Sequence, residues 1–212
     1  MFHIKSFTFN LVRENTYLLY NDKKNAWLID PGNMNQQENE KIENFIKEEG
    51  LNITKILLTH AHFDHILGLQ WAVDTFSLPV HLHQEEEEIL ERLPMSVGRF
   101  GFAVPPVKAE LKFINEGETL DFDGETFTIF HVPGHSPGSL VFYNPNENFM
   151  ISGDVLFEGS VGRTDLYKGD YDLLISGIKE KLLPLKEETK VYSGHGRPTT
   201  IGFEKNYNPF LK

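Results

Sequence analysis

Three imidazoles and a carboxylate fall within six consecutive residues, His60-Ala61-His62-Phe63-Asp64-His65. A neutral imidazole is the commonest metal ligand among side chains near pH 7, and Asp adds a charged oxygen donor. His60 and His62 are two apart, so on an extended backbone they project to the same side. Asp64 and His65 follow as the chain turns and need not aim at the same point. Two neighbouring points serve the four donors better, a binuclear arrangement with metals roughly 3.5–4 Å apart. Three later segments each present one more donor beside glycine: His135 in Pro133-Gly134-His135-Ser136-Pro137-Gly138, Asp154 after Ser152-Gly153, and His195 between Gly194 and Gly196. The prolines and glycines around His135 make a tight turn with exposed backbone that would present its ring.

The elements that must position these donors are legible on either side of them. Ile53 to Leu58 is apolar and β-branched and reads as a buried strand, and Ile66 to Val73 reads as a helix. The first cluster therefore stands where a strand gives way to a helix, the end at which open α/β sheets place their sites. Strands over 126–132, 149–152 and 190–193 run into the three later donors in the same way. Phe2 to Ile4, Phe7 to Phe9, Asn15 to Tyr20 and Ala26 to Ile29 read as strands. Residues 36–49, with Ile42, Phe45 and Ile46 on one face and Gly50 as a stop, read as a helix. Further strands are expected at 79–83, 111–114, 119–122 and 139–143, and helices at 84–93, 171–183 (capped by Asp170) and 199–207. Residues 94–106 fit neither period and read as a loop rich in large apolar groups, among them Met95, Val97, Phe100, Phe102 and Val104. That loop is expected to plug its own core or to cover an acyl group.

At 212 residues, 40% hydrophobic and 24% charged, the chain is expected to form a single domain, 1–212, with a well-buried core. A net charge of −11 repels phosphate backbones, so no nucleic-acid partner is expected. The chain has no cysteine, which excludes disulfides, thiolate ligands and a Cys nucleophile and leaves His and carboxylate as metal donors. No apolar window approaches the ~18 residues of a membrane span, and no signal segment follows Met1. No membrane partner and a cytoplasmic location are the resulting expectations.

The ordered set His-x-His-x-Asp-His, Gly-His, Gly-Asp, Gly-His resembles the metallo-β-lactamase superfamily from the first hairpin to His195. The resemblance implies an α/β fold, a four-layer αββα sandwich of the metallo-β-lactamase type. It implies two divalent metal ions, zinc foremost, with iron or manganese equally suited to His and Asp donors. His60, His62 and His135 would hold one, Asp64, His65 and His195 the other, and Asp154 would bridge. Asp64 and His65 would thereby be catalytic. Thr59 and Asp30 are expected to stand behind the ligand imidazoles and orient them. His3, His81, His83 and His131 are expected to be structural or solvated, and Gly68 to allow close packing of its helix.

Within the superfamily the chain is similar to glyoxalase II in a short form without the helical C-terminal domain. Arg163 matches a basic residue that there contacts the glutathione part of the substrate. Glyoxalase II carries an aromatic residue shortly after this one and another shortly after the last His; Asp165 and Arg197 stand near those positions here. The implied activity is hydrolysis of a small-molecule thioester, S-lactoylglutathione or a related acyl thioester, by attack of a metal-bridging hydroxide. A thiolate leaves readily because a thiol has a pKa of about 8.5. The alternative on the same framework is an iron persulfide dioxygenase, whose Gly-Arg-Thr-Asp stretch Gly162-Arg163-Thr164-Asp165 resembles.

Overall fold

A computed structural model describes residues 1–98 and 106–212. The chain divides into two compact units, one of residues 1–82 and 87–113, the other of residues 83–86 and 114–212. Each is built on a six-stranded mixed sheet.

The first unit's sheet runs in chain order: β1 (Phe2–Phe9), β2 (Glu14–Asn21), β3 (Asn25–Ile29), β4 (Asn52–Leu57), β5 (Val80–Leu82) and β6 (Leu111–Phe113). β1 to β3 form an antiparallel meander, and β3 to β6 are parallel. The two opening strands expected at 2–4 and 7–9 are one, because β1 pairs with β2 without interruption from Phe2 to Phe9. Side chains alternate across a strand, so register decides which residues share a face. Leu18, Leu28, Ile56 and Val80 stand in one cross-strand row and pack with Ile42 of α1 (Gln36–Glu49) and with Leu69 and Ala72. On the opposite face Leu19, Trp27, Ile29 and Leu57 are also fully buried. α1 starts where Asn35 accepts a hydrogen bond from the Glu38 amide and stops at Gly50, whose φ of 66° is left-handed.

The helix expected over 66–73 is two short ones, α2 (Phe63–Ile66) and α3 (Leu69–Phe76). The Gly68 amide donates to the Pro31 carbonyl (2.8 Å), which turns the chain between them. A Cβ on Gly68 would collide with the Asn33 side chain, so the close approach expected of this glycine is to a loop residue. The expectation of a loop from 94 is corrected for its first part. α4 (Glu87–Glu91) is followed by α5 (Leu93–Gly98), which buries Leu93 and Val97 in the first unit's core. Pro94 sits in the first turn of α5, where a missing N–H breaks no helical bond. Phe100, Phe102 and Val104 lie outside the described residues.

The second unit's sheet has the order β14-β13-β10-β9-β8-β7. β7 (Thr119–Phe122), β8 (Glu125–His131), β9 (Leu140–Asn144) and β10 (Phe149–Gly153) are antiparallel neighbours. β10 then pairs parallel with β13 (Lys190–Ser193), and β14 (Thr199–Thr200) closes the edge. Between them, β11 (Leu156–Phe157) and β12 (Ser160–Val161) form a small hairpin that two-residue strands leave no periodicity to reveal. α6 (Tyr171–Gly177) continues as a wider π turn over Ile178–Leu182. Its Asp170 cap accepts from the Leu173 amide at 3.0 Å. Leu174, Ile178 and Leu182 pack on Tyr143, Met150 and Val191, and α7 (Ile201–Tyr207) adds Ile201. The architecture is α/β with two major sheets. Among the described residues no helix is long and apolar enough to cross a membrane.

Candidate metal centre

In the first unit, the parallel pairing of β3 and β4 sets Ile29 beside Leu57, so the residues just beyond them, Asp30 and Thr59, come out side by side. Asp30 is buried and holds a left-handed φ of 50°, a conformation Asp tolerates better than most residues. Its Oδ1 accepts from the Thr59 amide (2.7 Å). Its Oδ2 accepts from the Thr59 hydroxyl (2.6 Å) and from His65 Nδ1–H (3.0 Å). Because the Thr59 hydroxyl has one proton and gives it to Asp30, the ring of His60, 3.1 Å away at Nδ1, must donate to Thr59 Oγ1. One carboxylate thus sets the tautomer of two imidazoles and leaves Nε2 of each as the donor atom.

The other two donors of the cluster join these. The His60 and His62 rings stand perpendicular with centroids 4.8 Å apart, and His60 and His65 are 4.1 Å apart. Asp64 Oδ2 lies 3.7 Å from His65 Nε2. His62 occupies the position just before α2, and the Asn10 side chain donates to the Asp64 carbonyl (2.9 Å) and the Gly32 carbonyl (3.0 Å), which fixes the turn that carries Asp64. All four donors expected from the first cluster are therefore neighbours. Asp30, His60 and His65 also lie close enough to share a cation. The three hydrogen bonds on Asp30 instead give that carboxylate an orienting part.

Glu14 had no signature in the sequence. It opens β2 fully buried, with Oε1 3.9 Å from His65 Nδ1 and Oε2 accepting from the Thr16 hydroxyl (2.9 Å). Oε1 has no hydrogen-bond partner. Burial pushes the Glu14 carboxyl well above its ordinary value, and the His65 ring only partly offsets this. Nothing in a Glu at a strand start distinguishes it from a solvated edge residue.

In the second unit, β10 and β13 are parallel with Gly153 opposite Ser193, and the Gly194 amide donates to the Gly153 carbonyl (2.8 Å). That register brings Asp154 and His195 to the same end. Asp154 Oδ2 lies 3.5 Å from His195 Nε2 and 3.4 Å from His135 Nε2. All three donors expected from the later segments are thus together, with one carboxylate oxygen between two imidazoles. His135 sits on a turn shaped by Gly134, whose φ of 127° and close approach to Asp170 O and Leu174 exclude a side chain. His135 Nδ1–H donates to the Arg163 carbonyl (2.8 Å), so here too Nε2 is the donor atom. Arg163 contributes this backbone oxygen, which residue type could not reveal. Its guanidinium forms two 2.7 Å bonds to Asp165 on the exposed surface. The pair holds the Asp165 carboxyl down at about 2, through the hydrogen bond first, and raises Arg163 further.

Imidazoles whose Nδ1 is engaged behind them, interleaved with carboxylates, form a donor set suited to divalent zinc, iron or manganese. A cation held by such donors would bind and polarise oxygen ligands.

Comparison with known proteins agrees with this chemistry. A family model described as the metallo-β-lactamase superfamily matches residues 10–195. The hydroxyacylglutathione hydrolase GloC of Haemophilus influenzae is 42% identical over 203 residues, which cover 94% of this chain and 93% of that protein. Among solved structures, the BLEG-1 B3 metallo-β-lactamase superposes with a TM-score of 0.91 and 44% identity, over 99% of this chain and all of that one. TTHA1623 in a di-iron-bound form superposes with a TM-score of 0.87 and 39% identity, over 98% of this chain and 100% of that one.

Proposed function

Because the chain belongs to the metallo-β-lactamase superfamily, we propose that it is a hydrolase of small acyl thioesters acting with two divalent cations. The 212 residues would act as one metallo-hydrolase domain. His60, His62 and His135 would hold one cation, Asp64, His65 and His195 the other, and Asp154 would serve both. The observation that carries the reading is the arrangement behind the imidazoles. Nδ1 of His60, His65 and His135 faces Thr59, Asp30 and the Arg163 carbonyl, so each ring offers Nε2 to a ligand. Two bound cations would supply Lewis acidity and water acidified enough to be a nucleophile at neutral pH.

The chain's own residues supply the rest. Asp30 and Thr59 keep His60 and His65 in the metal-binding tautomer, and burial of Asp30, Thr59, His60 and His65 restricts their rotation. Asp154, placed 3.4 Å and 3.5 Å from two rings, adds negative charge that offsets a dicationic pair. A thiolate departs without a proton donor because a thiol's pKa is about 8.5, whereas an amide nitrogen needs one. The relative that acts on hydroxyacylglutathione favours thioesters, and Arg163 is the residue proposed to meet a carboxylate of the thiol part.

The test is a substrate panel, S-lactoylglutathione, an acyl-coenzyme A and a cephalosporin, run with zinc, iron and manganese forms. Thioester turnover is expected to exceed β-lactam turnover by orders of magnitude. His62→Ala and Asp64→Ala are expected to lose several orders of magnitude of it with an unchanged circular dichroism spectrum. A preference for the cephalosporin would support the second reading, a β-lactamase, for which the likeness to BLEG-1 speaks. One iron per chain with oxygen uptake on a persulfide substrate would overturn both.

A further inference from the structure

A second group of metal-donor side chains lies within the second unit, apart from His135, Asp154 and His195. His83 and Glu85 belong to the short segment before α4, and His131 ends β8. One donor atom from each lies within 4.8 Å of the others. The His83 and His131 rings are stacked, with centroids 4.0 Å apart and planes at 17°. We propose that His83, Glu85 and His131 form a separate surface site for a borderline divalent cation of the zinc type.

The placement of the three is built rather than accidental. Gln84–Glu86 form a 3-10 turn, and the fully buried Glu86 pins it. Glu86 Oε1 accepts from the Ser136 hydroxyl (2.5 Å) and from the Gly138 amide (2.6 Å). A Cβ on Gly138 would stand 2.9 Å from His83 Cβ, so the two strands of chain touch and a larger residue there would push His83 away. On the other side, His131 Nε2–H donates to the Pro137 carbonyl (2.8 Å), which leaves Nδ1 with its lone pair. His83 takes only a long bond at Nδ1 from the Glu85 amide (3.3 Å), weak enough to yield to a cation.

Two imidazoles and one carboxylate, with a fourth position open to water, is a known zinc donor set. Tetrahedral zinc with bonds of about 2.0–2.1 Å needs donors roughly 3.3 Å apart, so the side chains must close by an ångström or so. Glu85 is exposed, and its carboxylate can swing. The cation would tie residues 83–85 to residue 131, behind the turn that carries His135. This departs from the expectation that His83 and His131 are structural or solvated.

The experiment is a Zn2+ titration of the full chain against a chromophoric chelator, comparing wild type with Glu85→Gln and His131→Gln. Wild type is expected to take up one more equivalent per chain, at micromolar Zn2+, than His131→Gln. Glu85→Gln, which alters only an exposed side chain, is expected to weaken that equivalent tenfold or more. Thioester turnover is expected to stay unchanged in both, which separates this site from the proposed catalytic pair. Equal stoichiometry and affinity in all three proteins, or no additional equivalent in wild type, would overturn the proposal.

Discussion

Asp30→Asn isolates the orienting carboxylate behind two imidazoles without changing size, and Asn also tolerates the left-handed φ of 50° at this position. Three donors converge on Asp30: the Thr59 amide, the Thr59 hydroxyl and His65 Nδ1–H, at 2.7, 2.6 and 3.0 Å. An amide has a single oxygen. If it faces the Thr59 amide, its NH2 group faces a hydroxyl that can turn and an imidazole N–H that cannot. At least one charge-assisted hydrogen bond is then lost, about 1.5–3 kcal/mol. For a chain of this length that lowers the melting temperature by roughly 3–12 °C. His65 is left free to adopt the other tautomer, so metal affinity should fall by about 10–100-fold, the usual range when a ligand's orienting partner is removed. Chelator competition measures the affinity and calorimetry the melting temperature. Thr59→Val, which removes the acceptor for His60 Nδ1–H, is expected to act in the same direction. Wild-type affinity and melting temperature in Asp30→Asn would refute the tautomer argument.

Arg163→Ala should leave metal binding intact, because His135 is held by the backbone oxygen of residue 163; a rise in KM for a carboxylate-bearing thioester would be the side chain's own contribution. Gly162→Ala would drive a Cβ into the Asp154 carbonyl and to 3.0 Å from His135 Cβ, so stability measured in urea should drop by about 1–3 kcal/mol and metal binding should weaken with it. Glu14→Gln tests the buried carboxyl in metal-free protein. Its folded-state value is raised above the ordinary 4.5, so the folded chain keeps a proton that the unfolded chain releases. Stability should therefore fall by up to about 1.4 kcal/mol per pH unit as pH rises above that value, until the folded-state value is passed. The variant lacks this component and should gain on wild type as pH rises above that ordinary value in denaturant titrations, whereas parallel curves would contradict a raised Glu14.

The features readable in advance were those carried by neighbouring residues. The donors His60, His62, Asp64 and His65 sit at the end of β4, as the apolar run before them implied. The helix over 36–49 and the Asp170 cap follow from periodicity and side-chain chemistry over one or two turns. The split between α2 and α3 was not readable, because it depends on the Gly68 amide meeting Pro31, thirty-seven residues earlier. Nor was α5, where tertiary burial of Leu93 and Val97 outweighs a segment rich in Pro and Gly.

Residue type and order along the chain determined which atoms could ligate a metal and on which strand ends they stand, because side-chain chemistry and strand alternation are local properties. The tertiary structure alone decided that Asp30 governs both His60 and His65, that Glu14 is buried beside them, and that residue 163 serves His135 through its carbonyl. Those relations come from strand register and from packing between residues dozens of positions apart. Local preference carries no information about either.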